Sequence, residues 1–308
     1  MFSLRPMVED DFDEVAELIY LSTNSWYREH LGISVFSGLP EECRIFCEVY
    51  EDLDPGCGLV MENDKMGTIV GSCFYHARET HMSLGIMNVH PNYFGHGIAG
   101  RILRQIIALS EEQGLPLRLI SSAINLDSFS LYSRHGFKPM DFYQDMLLEV
   151  PNDGLPAPDD KKLPEVRLAE PSDLVAMGQL EFEVSGISRE KDYCYFIENS
   201  TEIWQTVVSL DSNGEVDGFL VSIDHPATRM IGPGVSRTAA AAEAMLRFQC
   251  DRYRGRGVVF VLPASFPDLV ASAYRMGAKN CELHLTQVRG QSQPVTGIVI
   301  PCYLPESG

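Results

Sequence analysis

Six residues, Gly95-His96-Gly97-Ile98-Ala99-Gly100, fit the GxGxxG pattern with which a chain bends around a dinucleotide pyrophosphate. They follow an apolar run that ends Asn88-Val89-His90-Pro91, and they open a stretch in which Ile98, Ile102, Ile106 and Leu109 share one helical face until Gly114. The first backbone N–H groups of such a helix have no partner within it and point the same way, so an anion is expected there. Gly95 and Gly97 lack the Cβ that would hold a pyrophosphate at a distance. The dinucleotide reading itself fails on context. A nucleotide-binding βαβ unit opens its domain and carries an acid about 20 residues on, at the end of the next strand. Here the loop comes late, and Leu117–Ile124 ends without Asp or Glu. A second constellation follows that run: Asn125, Ser128, Leu131 and Tyr132, then Gly136-Phe137, with Ser128, Tyr132 and His135 near one helical face. A phenol of ordinary pKa near 10 can protonate a thiolate; a buried aromatic with a capped hydroxyl is the alternative role for Tyr132.

The elements that must position these residues follow from pattern. Acids at Glu9, Asp10 and Asp11 favour a helix start, and Phe12, Val15 and Ile19 give a helix over Val8–Ser22. Trp26–Gly38 reads as loop or broken helix and Pro40–Tyr50 as a second helix. Gly58–Glu62, Thr68–Ala77 and Met82–Val89 are apolar runs joined by turn residues, an antiparallel meander. The helix from Ile98, a strand over Leu117–Ile124, a short helix over Leu126–His135 and a strand over Phe142–Val150 complete a mixed α/β (α+β) layout.

At 308 residues the chain is long enough for two domains. Prolines at 151, 156, 158 and 164 mark a linker over 151–163, between a first domain, 1–150, and a second, 164–308. Leu4-Arg5, Asp11 and Leu18 are echoed by Val166-Arg167, Asp173 and Leu180 at one constant offset, which suggests two copies of one fold.

The two constellations at this spacing resemble the GNAT superfamily of acyl-CoA-dependent N-acetyltransferases. The family's pyrophosphate loop, Arg/Gln-x-x-Gly-x-Gly/Ala after Val-x-Pro, is matched by Val89-His90-Pro91 and Asn92-Tyr93-Phe94-Gly95-His96-Gly97, with Asn92 in the usual Arg or Gln place. The resemblance covers about residues 3–150 and implies two tandem domains, each a twisted, mostly antiparallel sheet flanked by helices. It implies acetyl-CoA as co-substrate and direct acyl transfer to a primary amine of a small molecule or peptide. By the same resemblance, backbone groups of Met87, Asn88 and Val89 pair with pantetheine and polarise the acetyl oxygen. Phe94, Gly95, His96, Gly97, Ile98 and Ala99 contact the pyrophosphate, Asn125 holds the pantetheine arm or the end of the following helix, Ser128 is a further coenzyme-binding residue, and Tyr132 is the general acid. The family's usual strand glutamate falls on Ser83. His81 shares that strand face and has a suitable pKa range, so His81 and Ser83 are the candidate base and relay, unless His81 is only a surface residue at a strand start. Trp26, Tyr27, Glu29, Glu41 and Glu42 lie where the family holds its acceptors. The missing carboxylate leaves a non-catalytic acyl-CoA-binding or regulatory module as the alternative.

Charge narrows the partners. The net charge is −19, with 10 basic and 22 acidic residues before Pro151 and 14 and 21 from it on. Neither half suits nucleic acid or an anionic membrane. No apolar run reaches the roughly 18 residues of a membrane span, and the acidic start is unlike a signal peptide. The eight cysteines show no metal-binding spacing. A cytoplasmic protein with no bound metal is expected; the pattern leaves its oligomeric state open. In the second half, Thr238-Ala239-Ala240 stands where the glycines would be, and Ala273 stands where Tyr132 would be. Met230-Ile231-Gly232-Pro233-Gly234 leads to a helix over Thr238–Tyr253, followed by a strand over Val258–Leu262 and a helix over Asp268–Met276, and Gly232-Pro233-Gly234 reads as a turn in preference to a phosphate loop. This half is expected to be a degenerate copy.

Overall fold

The computed structural model describes residues 1–158 and 163–306. Of the proline-rich stretch 151–163, residues 159–162 therefore lie outside the described residues. The chain forms two compact units, 1–119 with Tyr303–Glu306, and 120–302.

The first unit runs β1 (Phe2–Pro6), α1 (Phe12–Leu31), α2 (Arg44–Leu53), β2 (Gly58–Asn63), β3 (Thr68–Ala77), β4 (Met82–Val89), α3 (Ile98–Gln113) and the start of β5 (Leu117–Ser122). β1 to β4 pair antiparallel in chain order, and β5 joins β4 in parallel through Met82↔Leu117 and Ser83↔Arg118. α1 is longer than the sequence pattern indicates: it continues through Trp26 to Leu31, and Gly32 ends it at φ 70°. The polar run Ser22-Thr23-Asn24-Ser25 interrupts the apolar stripe without breaking the helix. Distant partners satisfy it: Ser22 donates to Asn88 Oδ1 at 2.5 Å, and the Asn24 amide bonds both backbone groups of Phe36. A buried polar side chain that is hydrogen-bonded carries little of the usual desolvation cost.

The second unit holds the rest of β5, then α4 (Leu126–Arg134), β6 (Lys138–Glu149), β7 (Glu165–Leu168), α5 (Leu174–Ser185), α6 (Glu190–Glu198), β8 (Trp204–Leu210), β9 (Val216–His225), β10 (Thr228–Ser236), α7 (Ala239–Cys250), β11 (Gly257–Pro263), α8 (Pro267–Arg275), β12 (Lys279–Arg289) and β13 (Ile298–Ile300). β7 to β10 repeat the antiparallel order of β1 to β4, and β11 joins β10 in parallel as β5 joins β4. β6 lies between two strands of the second sequence copy, antiparallel to β11 and to β12. That placement is why the compact units part inside β5 and not at the prolines. Met146 and Leu148 of β6 are buried with Phe260 and Leu262 of β11 and with Leu246 and Ala273 of the helices. Gly232-Pro233-Gly234 is not the expected turn. It is buried strand, with a register shift between Ile231 and Gly234 that absorbs Gly232-Pro233.

The repeat seen in sequence has a physical meaning. Arg5 makes two hydrogen bonds to Asp11, 2.7 and 2.9 Å, and Asp11 also accepts from Val8 N–H. Arg167 and Asp173 do the same at 2.7 and 2.8 Å, with Glu170 N–H as the third contact. Each pair ties the first strand of its copy to the start of the following helix. The guanidinium hydrogen bonds hold both carboxyls below the usual carboxylate range.

Candidate functional site

β4 leads into the glycine loop. A short 3-10 turn over Pro91–Tyr93 follows it, capped by His90 Nδ1, which accepts from Asn92 N–H. Gly95 and Gly97 then adopt φ of 79° and 75°, a left-handed backbone that side-chain-bearing residues rarely take. No heavy atom lies within 4 Å of where a Cβ would stand at either glycine. Gly97 caps α3 with no side-chain hydrogen bond, so the amides of Ile98, Ala99 and Gly100 open the helix without a side-chain lid. Phe94, Gly95, His96 and Gly97 are exposed, and Ile98 is buried under them as the first core residue of α3. An open, Cβ-free loop at a helix's positive end suits a pyrophosphate. The loop therefore fits the coenzyme that the sequence implies.

On β4 the ladder is interrupted. Cys73 pairs with Met87 and Tyr75 with Leu84, which leaves Gly85 and Ile86 opposite Phe74 alone: a bulge. Tyr50 of α2 fills the space above it. Its ring approaches Gly85 so closely that a Cβ there would fall 2.7 Å from it, and its hydroxyl accepts from Ile86 N–H at 3.3 Å. Met87 to Val89 pair with Cys73, Ser72 and Gly71 of β3. Met87 and Val89 are half-buried, and Asn88 is buried, with its Oδ1 accepting from Ser22.

His81 is 1% exposed, which excludes the surface reading of it. Its Nδ1 lies 3.0 Å from Thr80 Oγ1. Ser83 is also buried, and its Oγ accepts from Arg78 Nη1 at 2.7 Å. Directly across the ladder from Ser83 stands His76, bonded through Nδ1 to Asp54 and stacked on Tyr50. The sequence reading missed Tyr50, Asp54, His76 and Arg78. One signal was present: a glycine inside an apolar strand, here Gly85, marks a close approach from another element.

In the second unit, Asn125 caps α4, its Oδ1 accepting from Ser128 N–H at 3.0 Å. Tyr132 is 6% exposed and packs edge-on against Phe137, ring centroids 5.7 Å apart. The motif thus holds a tyrosine on a short, firmly started helix. Of the acceptor region, Trp26 stacks on His30 and meets Tyr27 edge-on. Glu29 lines a cleft of about 420 Å³ on α1, with Tyr20, Asn24 and Arg28. Glu41 and Glu42 lie in the 3-10 turn over Pro40–Cys43. Burial pushes the thiols of Cys47 and Cys250 up to about 12, so neither is a nucleophile at neutral pH. Among the described residues no helix is long and apolar enough to cross a membrane.

Two family models match the chain, both described as an acetyltransferase (GNAT) domain, over residues 54–139 and 177–295. No curated protein matches it. Among solved structures, one from Pyrococcus horikoshii described as an acetyltransferase superposes with a TM-score of 0.75 at 15% identity, over 99% of this chain and 95% of that one. A GCN5-related N-acetyltransferase from Sphaerobacter thermophilus superposes at 0.67 and 18%, over 96% and 97%. A tandem GNAT protein from the clavulanic acid biosynthesis pathway does so at 0.60 and 13%, over 95% and 100%. At these identities the structures speak to fold alone.

Proposed function

This chain belongs to the GNAT acetyltransferase family as a tandem member, and from that premise we propose that its first copy transfers an acetyl group from acetyl-CoA to a primary amine of a small molecule or peptide. The observation that carries the reading is the open start of α3, where Gly95 and Gly97 clear the approach to unlidded amides. When bound, acetyl-CoA supplies a thioester, an acyl group already activated toward an amine. The amides of Ile98, Ala99 and Gly100 bind the charged end, with Phe94 and His96 at the loop's rim. Backbone groups of Met87, Asn88 and Val89, beside the bulge, orient the pantetheine arm and polarise the acyl oxygen. Asn125 and Ser128 fix the start of α4, and Tyr132 donates the proton that the departing thiolate requires. His81, which immediately precedes β4 and stands two residues before Ser83, takes the amine's proton through water, because the ring itself is buried.

A second reading has an observation of its own. The place where the family puts a carboxylate holds Ser83, whose hydroxyl is already engaged by Arg78, and this favours an acyl-CoA-binding regulatory module. One experiment separates the two: the full chain is incubated with acetyl-CoA and a panel of amino acids, polyamines, amino sugars and peptides while free thiol is followed. Amine-dependent thiol release is expected. Coenzyme binding without release supports the regulatory module, and failure to bind coenzyme at all overturns both.

A further inference from the structure

β6 and β12 run antiparallel with Asp145 directly opposite Glu282 and Tyr143 opposite His284. Direct opposition sets the two acids on one face at the shortest cross-strand spacing, where like charges repel. His284, two residues beyond Glu282, returns to that face, and its Nδ1 lies 2.9 Å from Asp145 Oδ1. One donor atom from each of Asp145, Glu282 and His284 can be chosen so that all three lie within 4.8 Å of one another. Asp145 is 3% exposed and His284 7%, while Glu282 is half-buried.

The convergence depends on an irregularity in the strand. Asn280 pairs with Met146 and Glu282 with Asp145, so β12 carries one extra residue, Cys281. Without it Glu282 would face the other side of the sheet, since a one-residue slip reverses every side chain that follows. Bulges commonly re-aim side chains in this way beside functional sites. Two carboxylates set this close on one strand face repel each other, and a cation between them would offset that repulsion.

We propose that Asp145, Glu282 and His284 bind one divalent cation of the zinc and manganese kind. Carboxylates alone would suit magnesium or calcium, and the imidazole shifts the preference toward the borderline metals. Three protein donors leave coordination positions for water or a further ligand. Around a tetrahedral ion with bonds of about 2.1 Å, neighbouring donors stand about 3.4 Å apart. Side-chain movement on the order of 1 Å closes the set, and Glu282 is the least buried of the three. The proposal does not depend on acyl transfer by the first copy.

The test uses the full chain, stripped with EDTA, dialysed, and titrated with ZnCl2 and separately MnCl2 by calorimetry, with bound metal counted after gel filtration. One ion per chain and a Tm that rises with Zn²⁺ are expected. Glu282→Gln and His284→Gln should each weaken binding roughly tenfold or more, with circular dichroism reporting the fold. Glu282→Gln sits at a half-buried position and removes the cross-strand repulsion, so its result stands even if His284→Gln unfolds. Cys281→Ser should bind as the parent does. Absence of saturable binding, an undiminished affinity in a folded Glu282→Gln protein, or loss of binding in Cys281→Ser, which would mean capture by a thiol, each overturns the proposal.

Discussion

Two helices of this chain start in corresponding places and treat their first amides in opposite ways. α3 begins at a bare Gly97 in an open loop. α7 begins at Thr238, whose Oγ1 accepts from Ala241 N–H at 3.1 Å. The same hydroxyl donates to Asp217 Oδ2 at 3.3 Å, and Ser236 Oγ closes on Thr238 O. An N-cap side chain stabilises a helix by satisfying an amide that an anion would otherwise bind. Asp217 adds a carboxylate where a phosphate would have to stand. One copy has kept its helix start available to a ligand, whereas the other has used it for stability. The loss of glycine in the second copy is therefore a change of use, and its side chains are what fill the place.

The comparison breaks or sharpens under four measurements. Tyr132→Phe should lower kcat by about a hundredfold or more with little change in the KM for acetyl-CoA. Tyr274→Phe, which removes the second copy's nearest phenol and its hydrogen bond to Gln144, should leave both constants alone; an equal loss there would mean that the second copy is not degenerate. Gly97→Val puts a side chain into the open loop and into a left-handed backbone. It should weaken acetyl-CoA binding by tenfold or more, about the value of one lost hydrogen bond to a charged group, read by calorimetry. Asp11→Asn and Asp173→Asn should each cost about 1–2 kcal/mol in urea unfolding. Both native carboxyls lie below the unfolded carboxylate pKa, so this stability is complete above about pH 4. It fades as pH falls through the lowered native values, and the variants should converge on the parent in acid. Smallest, Thr238→Ala should cost about 1 kcal/mol and confer no coenzyme binding, since Asp217 remains.

Much of this was legible in the residue order. Thr68–Ala77 and Met82–Val89 appear with the ends that their apolar runs predict, because a strand buried on both faces shows as a continuous apolar run bounded by turn residues. The loop and Asn125 are legible for the same reason: backbone conformation and capping are local. What escaped is what long-range partners decide. Ser22 and Asn24 look like the end of a helix until Asn88 and Phe36 are seen to satisfy them. Gly232-Pro233-Gly234 looks like a turn until β9 and β13 are seen to hold it in a sheet. Asp54 with His76, and Asp145 with His284, are separated by 22 and 139 residues, and no pattern within either segment announces the other.

The position of β6 bears on how such a chain could have arisen and on how it can be handled. A strand from the first copy, bonded on both edges by strands of the second, turns a duplication into a one-way step. Cutting at the prolines would strip β6 of both neighbours and leave β11 and β12 without the strand between them, exposing unsatisfied edges on either fragment. Selection on the glycine loop in one half is also selection on the scaffold supplied by the other, which gives a copy without those glycines a reason to persist.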